Sequence, residues 1–96
     1  MDQIERIVRM ESILDEAEAA AADLGRALDR WAAVQEDLAE LEAYYSGGTW
    51  MRDFEDDSAG KLPKDLKRGV LSEDAVYDLL TDRNDLLKRM KELGKD

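Results

Sequence analysis

Residues 46–71 read SGGTWMRDFEDDSAGKLPKDLKRGVL and separate two long segments that have a helical pattern. This connector contains Pro63, the only proline, and four of the six glycines, whereas each flanking segment contains one glycine. Because glycine and proline interrupt helices, the composition predicts a break in regular structure here. We therefore predict one all-α domain, with a helix over 2–45, a connector over 46–71 and a helix over 72–93.

The start of the connector predicts both a helix end and an aromatic contact. Gly47 and Gly48 should end the first helix, since glycine adopts the left-handed conformation found at helix C-termini. Thr49 is then positioned to cap a short helical turn. Trp50 and Phe54 are four residues apart and should share one face of that turn. We expect their rings to pack in the core rather than to stack on a ligand.

The rest of the connector combines acidic and basic residues. Asp53, Glu55, Asp56 and Asp57 form an acidic cluster with the initial spacing of a calcium loop. The loop pattern then requires a glycine where Ser58 stands and a glutamate where Lys64 stands, so a cation site is disfavoured. Pro63 is predicted to begin, and Gly69 to end, a helical turn over 64–68. Its basic residues either pair with nearby carboxylates or bind an acidic partner or a phosphate, and we favour the first use.

The first helix has an apolar seam with a 3.5-residue period. Steps of three and four residues from Ile7 reach apolar or aromatic residues in nine of eleven cases. The seam consists of Ile7, Met10, Leu14, Ala17, Ala21, Leu24, Leu28, Trp31, Gln35, Leu38, Glu42 and Tyr45. This period is typical of a coiled-coil-like helix. We expect the helix to continue through Gly25, which has no other turn-forming residue beside it.

The lengths of the two helices indicate that the first one has a partner. A continuous helix over 2–45 would be about 66 Å long, roughly twice the length of the second helix. In an antiparallel hairpin, the second helix can cover only part of the seam. Because two-fold dimers are the commonest soluble oligomers, we expect a homodimer through the N-terminal helix. Ala17 and Ala21 are then either a close dimer contact or simply strong helix formers.

The third segment is a shorter amphipathic helix. Ser72 is a suitable N-cap, and Glu73 and Asp74 carry the charge favoured in a first turn. Its apolar row consists of Val76, Leu79, Leu86, Met90 and Leu93, and is interrupted by Arg83. We expect Arg83 to pair with an acidic residue such as Glu42, or to extend its charge into solvent.

Composition excludes several chemistries. The chain has no cysteine and no histidine, which removes disulfides, thiolate metal sites and the usual general base. The formal net charge is −10, and residues 1–45 carry twelve acidic against four basic side chains. We therefore expect no nucleic-acid partner. The sequence shows no signal-peptide pattern and no apolar run long enough to cross a membrane, which favours a cytoplasmic protein. We also expect no bound cofactor.

Several phrases of the sequence resemble a known family. These are Tyr44-Tyr45, Trp50, DFEDD at 53–57, Gly60, and LPKDLKRGVLSEDAVYDLL at 62–80. Together they are similar to the DUF4298 family of small bacterial proteins, a domain of unknown function. The similarity covers essentially the whole chain and is most specific over 44–80. It implies an all-helical protein of the bacterial cytoplasm, and it supplies no activity.

Three functional hypotheses are compatible with these patterns. The first is a non-catalytic helical module for protein–protein interaction or structure. The second is a magnesium-dependent, all-α nucleotide pyrophosphohydrolase, for which the acidic sets are Glu36, Asp37 and Glu40, and Asp78, Asp82 and Asp85. The third is an acidic inhibitor or antitoxin-like protein that covers a basic surface of its target. We favour the first hypothesis, because acidic sets of this kind arise by chance in an acidic helix.

A site is expected where the connector folds back on the helix ends. We expect no catalytic, cofactor-binding or metal-binding residue in it. The candidate interaction residues are Tyr45, Trp50, Asp53, Lys64, Lys67, Arg68, Asp74 and Tyr77.

Overall fold

The computed structural model describes residues 2–95, which form helices and contain no β-strand. The α-helices are α1 (Gln3–Ala33), α2 (Gln35–Ser46), α3 (Gly48–Ser58) and α4 (Ala75–Leu93), and a short 3₁₀ turn covers Gly69–Leu71. The predicted all-α fold, with a long N-terminal and a shorter C-terminal helix, is confirmed. The chain divides into two compact units, with the boundary between Glu36 and Asp37.

Helix α1 accounts for nearly all of the N-terminal unit. The Asp2 side chain caps it by accepting a hydrogen bond of 2.8 Å from the backbone N–H of Glu5. The helix runs for 31 residues and passes through Gly25 without interruption, as predicted. No residue of α1 is buried, and only Trp31 is half-buried. Its length is about 46 Å at the usual rise of 1.5 Å per residue.

The single helix expected over 2–45 is divided at Val34 into α1 and α2. Next to this point, the Gln35 side chain donates a 2.9 Å hydrogen bond to the Trp31 carbonyl. In a regular helix that carbonyl accepts from the backbone N–H of residue 35. A side chain that competes for a carbonyl in this way is a known cause of helix interruptions. The periodicity of apolar residues did not reveal the break because it continues across it.

The C-terminal unit contains a longer connector helix than the sequence predicted. Helix α2 ends at Ser46, and the backbone N–H of Gly47 donates to the Ala43 carbonyl over 3.1 Å. Gly47 ends the helix as predicted, but with φ −92° rather than in the left-handed conformation. It is also the N-cap of α3, so that Thr49 lies inside the first turn instead of capping it. The expected short turn is an eleven-residue helix.

Helix α3 ends at a glycine in the left-handed conformation. Gly60 has φ +73°, and the backbone N–H of Lys61 donates to the Asp56 carbonyl over 3.0 Å. This bond reaches back five residues, as in the Schellman motif. Pro63 then begins a single turn closed by a 3.3 Å bond from the Leu66 N–H to the Pro63 carbonyl. The predicted start of a turn at Pro63 is therefore observed, but the turn ends at Leu66 rather than continuing to Arg68, and Gly69 begins the 3₁₀ turn instead of ending a helix.

Helix α4 begins three residues later than predicted. The Ser72 hydroxyl accepts a 3.2 Å hydrogen bond from the backbone N–H of Ala75, so it still satisfies a donor at the helix start. The helix ends at Leu93, where the N–H of Gly94 donates to the Met90 carbonyl over 3.0 Å. The predicted C-terminal end is therefore confirmed.

The core lies in the C-terminal unit and is small. Leu38, Trp50, Leu71 and Val76 are its buried apolar residues, each 3–7% exposed. In this unit, α2 makes two polar contacts with the C-terminal part of the chain: Glu42 lies 2.9 Å from Arg83 of α4, and the Tyr45 hydroxyl lies 3.4 Å from the carbonyl of Glu73, just before α4. Moving forward along α2 from Glu42 to Tyr45, the contacted residue moves backward from Arg83 to Glu73, as in an antiparallel pair. The expected pairing of Arg83 with Glu42 is confirmed.

Candidate functional site

An aromatic cluster joins α2, α3 and the 3₁₀ turn. The Trp50 ring lies edge-on to Tyr45, with centroids 5.2 Å apart, and stacks on Phe54 at the same distance. The Trp50 indole N–H donates a 2.8 Å hydrogen bond to the carbonyl of Val70. The ring and the polar atom of Trp50 therefore both have partners, and the side chain is only 7% exposed. The expected core role is confirmed for Trp50, and Phe54 packs against its ring but is half-buried.

Next to this cluster, Tyr44 donates a hydrogen bond to a carboxylate oxygen of Asp53. The two oxygens are 2.6 Å apart, a short distance typical of a charge-assisted bond. This bond raises the pKa of Tyr44 from 10.0 to about 12, with smaller contributions from desolvation and from the negative charge of Asp53. The contact links α2 to α3 across Gly47.

Arg68 attaches the connector loop to α3. Its guanidinium donates to the Asp57 carboxylate and to the Pro63 carbonyl, while Nε donates to the Leu66 carbonyl over 3.2 Å. Because Arg68 is half-buried and uses donors on both sides of its fork, it fixes the path of residues 63–68. The basic residue thus has the structural use that the sequence favoured, pairing with a nearby carboxylate.

The acidic cluster of α3 is occupied by protein partners. Asp53 accepts from Tyr44, Asp57 pairs with Arg68, and Asp56 lies 3.9 Å from the Lys61 ammonium. Within residues 2–95, no group of three or more acidic side chains is placed to hold a metal ion. Neither the calcium-loop spacing nor the two acidic sets of the pyrophosphohydrolase hypothesis gains support from this geometry.

The other candidate residues do not join the cluster. Lys64 and Lys67 are exposed, and neither forms an ion pair with another described residue. Asp74 precedes α4, and its backbone carbonyl accepts a 2.8 Å hydrogen bond from the Asp78 N–H. Tyr77 is 61% exposed. Of the eight candidates, Tyr45 and Trp50 contact each other, whereas Asp53 and Arg68 have separate partners in Tyr44 and Asp57. The other four are exposed, so the eight do not form a single pocket.

Tyr44 and Asp57 are central to this region, although they were not among the candidates. Tyr44 lies three residues before Gly47, and Asp53 lies six residues after it. Two helices that reverse direction at a glycine bring such positions together, so the spacing around Gly47 was the available signal. Asp57 was noted only as a member of an acidic cluster, and its pairing with Arg68 depends on the path of the loop.

The N-terminal unit has a different kind of surface, an exposed apolar face along α1. Eight large apolar residues of this helix are 42–73% exposed: Ile4, Ile7, Val8, Met10, Ile13, Leu14, Leu24 and Leu28. A shallow groove of about 230 Å³ continues the face and is lined by Ala27, Arg30, Trp31 and Val34. Among the described residues, no helix combines the length and apolar character that a membrane crossing needs. Apolar faces of this extent commonly bind another protein.

Comparisons with known proteins give a family and no further relative. The family model described as a domain of unknown function, DUF4298, matches residues 7–93. No curated protein and no solved structure matches the chain. The matched range includes most of α1 and all of α2, α3 and α4. The chain therefore belongs to the DUF4298 family.

Proposed function

We propose that the protein is a non-catalytic helical interaction module in which the apolar face of α1 binds a helix of another copy of the chain. In this proposal, the unit that begins at Asp37 is a small folded body held by the Trp50 cluster, and α1 is the binding element. The setting expected from the composition and the family resemblance is the cytoplasm of a bacterial cell. No residue of the proposed interface has a catalytic role.

The observation that carries this proposal is the complete absence of buried residues from a 31-residue helix. Helices in proteins owe most of their stability to the packing of an apolar face. The seam of α1 has that face, with Leu14 50% exposed and Leu24 58% exposed near the middle of the helix. A regular apolar seam whose residues are not buried is well suited to pack against another helix.

The exposed area is sufficient to support association. Full burial of one large apolar side chain contributes about 1.5–3 kcal/mol, so covering the seven half-exposed ones other than Val8, which lies away from the seam, contributes on the order of 10 kcal/mol per chain. Two copies that cover each other both contribute, which together exceeds the roughly 4–15 kcal/mol cost of association. A second copy of the chain has the same seam, so the two seams can cover each other without a different protein as partner.

Charged substitutions on the seam test the proposal. Leu24→Glu places a carboxylate on the apolar face, and burying that charge without a partner is costly. We expect L24E to be monomeric at concentrations where the unmodified chain is dimeric, as measured by sedimentation equilibrium. Ser12→Glu is the matched control. Ser12 lies on α1 outside the seam, and the substitution adds the same negative charge as L24E. We expect S12E to leave the dimer dissociation constant close to that of the unmodified chain.

Two results would contradict the proposal. Equal dimer dissociation constants for L24E and S12E would show that the seam is not the interface. A helical but monomeric unmodified chain at millimolar concentration would show that α1 does not bind a second copy. If that monomer bound a basic protein with strong salt dependence, the acidic-inhibitor hypothesis would replace this one.

A further inference from the structure

The two flanks of the α1 seam differ in chemical character. The seam itself consists of Ile7, Met10, Leu14, Ala17, Ala21, Leu24, Leu28 and Trp31. One flank, which we call the apolar flank, contains Arg6, Ile13, Ala20, Ala27 and Val34. The other, which we call the acidic flank, contains Ile4, Glu11, Glu18, Gly25 and Ala32. These are the positions that lie directly beside the contact in a two-helix pair.

We propose that α1 pairs with α1 of a second copy in antiparallel orientation, with the two-fold axis passing close to Ala19. This inference rests on the proposed function and specifies the geometry of its interface. About that axis, each seam position faces its counterpart at an equal sequence distance on the other side of residue 19. The resulting pairs are Ile7 with Trp31, Met10 with Leu28, Leu14 with Leu24, and Ala17 with Ala21.

The composition of the flanks favours the antiparallel orientation. In an antiparallel pair, each flank faces the same flank of the other helix, whereas in a parallel pair it faces the opposite one. The antiparallel pair therefore places Ile13 against Ala27 and Ala20 against Ala20, and widens the apolar contact. In a parallel pair, Ile13 would face the carboxylate of Glu18. Ile13, the largest apolar residue of this flank inside the contact, thus has an apolar neighbour in the antiparallel orientation and a charged one in the parallel orientation.

The distribution of charge along α1 favours the same orientation. Residues 2–18 contain six acidic and two basic side chains, for a net charge of −4. Residues 19–34 contain two acidic and two basic side chains, for a net charge of zero. A parallel pair would place the two −4 halves side by side, whereas the antiparallel pair places each beside a neutral half. Because like charges repel at these distances, the antiparallel pair has the lower electrostatic cost.

Two local pairs set limits on this electrostatic advantage. The parallel pair would gain contacts between Arg6 and Glu11, and the antiparallel pair brings two copies of Glu18 together on the acidic flank. Both contacts lie at the solvent-exposed edge of the seam, where ion pairs contribute little. The small residues Ala17, Ala20 and Ala21 lie near the proposed axis and allow the two backbones to approach closely there.

Distances between spin labels test the orientation directly. The chain has no cysteine, so a single introduced cysteine can be labelled specifically. Glu5→Cys, Ser12→Cys and Ala19→Cys lie seven residues apart on the exposed outer side of α1, away from the seam. In the proposed dimer, the axial distance between the two labels is near zero at residue 19, about 21 Å at residue 12 and about 42 Å at residue 5.

We expect pulsed electron resonance distances to increase in the order A19C, S12C, E5C. Nearly equal distances at the three positions would overturn the antiparallel orientation while leaving self-association intact. The absence of any intermolecular coupling, in variants that keep the helical circular-dichroism signal of the parent chain, would instead reject self-association through α1. The two kinds of failure are therefore distinguishable.

Discussion

At the scale of single residues, Tyr44 shows how one contact sets a protonation state. Its hydroxyl donates to Asp53, and the pKa of Tyr44 is raised from 10.0 to about 12. The folded protein therefore binds more protons than the unfolded chain between these two pH values. By linkage, the stability contributed by this bond is complete below about pH 10 and is lost as the pH rises to about 12.

Titration of tyrosine absorbance tests this assignment. We expect a tyrosinate transition with a pKa of about 12 in the unmodified protein, and its disappearance in Tyr44→Phe, which cannot donate to Asp53. Asp53→Asn should lower the same pKa, because it removes the negative charge that favours the protonated hydroxyl. A transition near pH 12 that persists in Y44F would contradict the assignment.

Trp50 is the residue on which the packing of the C-terminal unit depends most. It contacts Tyr45 and Phe54 and donates to the Val70 carbonyl, so its loss leaves both a cavity and an unpaired acceptor. We expect Trp50→Ala to lower the free energy of unfolding by roughly 3–5 kcal/mol. Urea denaturation measures this change, and the neighbouring Thr49→Ala serves as an exposed control within about 0.5 kcal/mol of the parent. If W50A unfolds with nearly the same free energy as T49A, the aromatic cluster does not hold this unit together.

At the scale of secondary-structure elements, two glycines predict opposite effects of one substitution. Gly60 ends α3 with φ +73°, where a side chain is strained, whereas Gly25 lies in the middle of α1 with open space where an added Cβ would stand. We expect Gly60→Ala to destabilise the protein by about 1–2 kcal/mol. Gly25→Ala should stabilise α1 by up to about 1 kcal/mol, because glycine weakens helix interiors.

Thermal unfolding followed by circular dichroism, at matched protein concentrations, checks this pair. A lower melting temperature for G60A and a higher one for G25A are expected. If the two variants shift in the same direction, then either α3 does not end in the left-handed conformation or α1 is not a continuous helix at residue 25.

The sequence predicted those elements that depend on local spacing. The end of a helix at Gly47 and the shared face of Trp50 and Phe54 both follow from residue type and period. The pairing of Arg83 with Glu42 was one of two uses expected for an arginine that interrupts an apolar row. The sequence did not predict the interruption at Val34, since this coincides with a side-chain contact from Gln35 to a backbone carbonyl. Contacts between a side chain and the backbone leave no periodic signal.

The candidate site was predicted less well than the fold, for a related reason. The contact between Tyr44 and Asp53 depends on the angle at which α3 leaves α2, and the pairing of Arg68 with Asp57 depends on the path of residues 59–67. The sequence also predicted only a short turn where the eleven-residue α3 stands. Asp57 lies beyond that predicted turn, so its pairing with Arg68 could not be located from the sequence. Residue type alone placed Lys64, Lys67 and Tyr77 in the site, although each is exposed.

At the scale of the whole molecule, the two units differ in how much apolar surface they bury. The buried core residues all belong to the unit that begins at Asp37, whereas α1 has a long apolar seam and no buried residue. The match to the DUF4298 family extends over both units, from residue 7 to residue 93. The seam of α1 and the Trp50 cluster therefore lie in the same family domain, and the proposed interface is a feature of that domain.

The central claim is that the apolar face of α1 is covered by a second copy in solution. Light scattering across a concentration series of the unmodified protein measures this most directly. We expect a mass that rises from the chain mass of 10.9 kDa toward twice that value within the micromolar range. A mass that stays at 10.9 kDa up to millimolar concentration, with the helices intact, would contradict the claim.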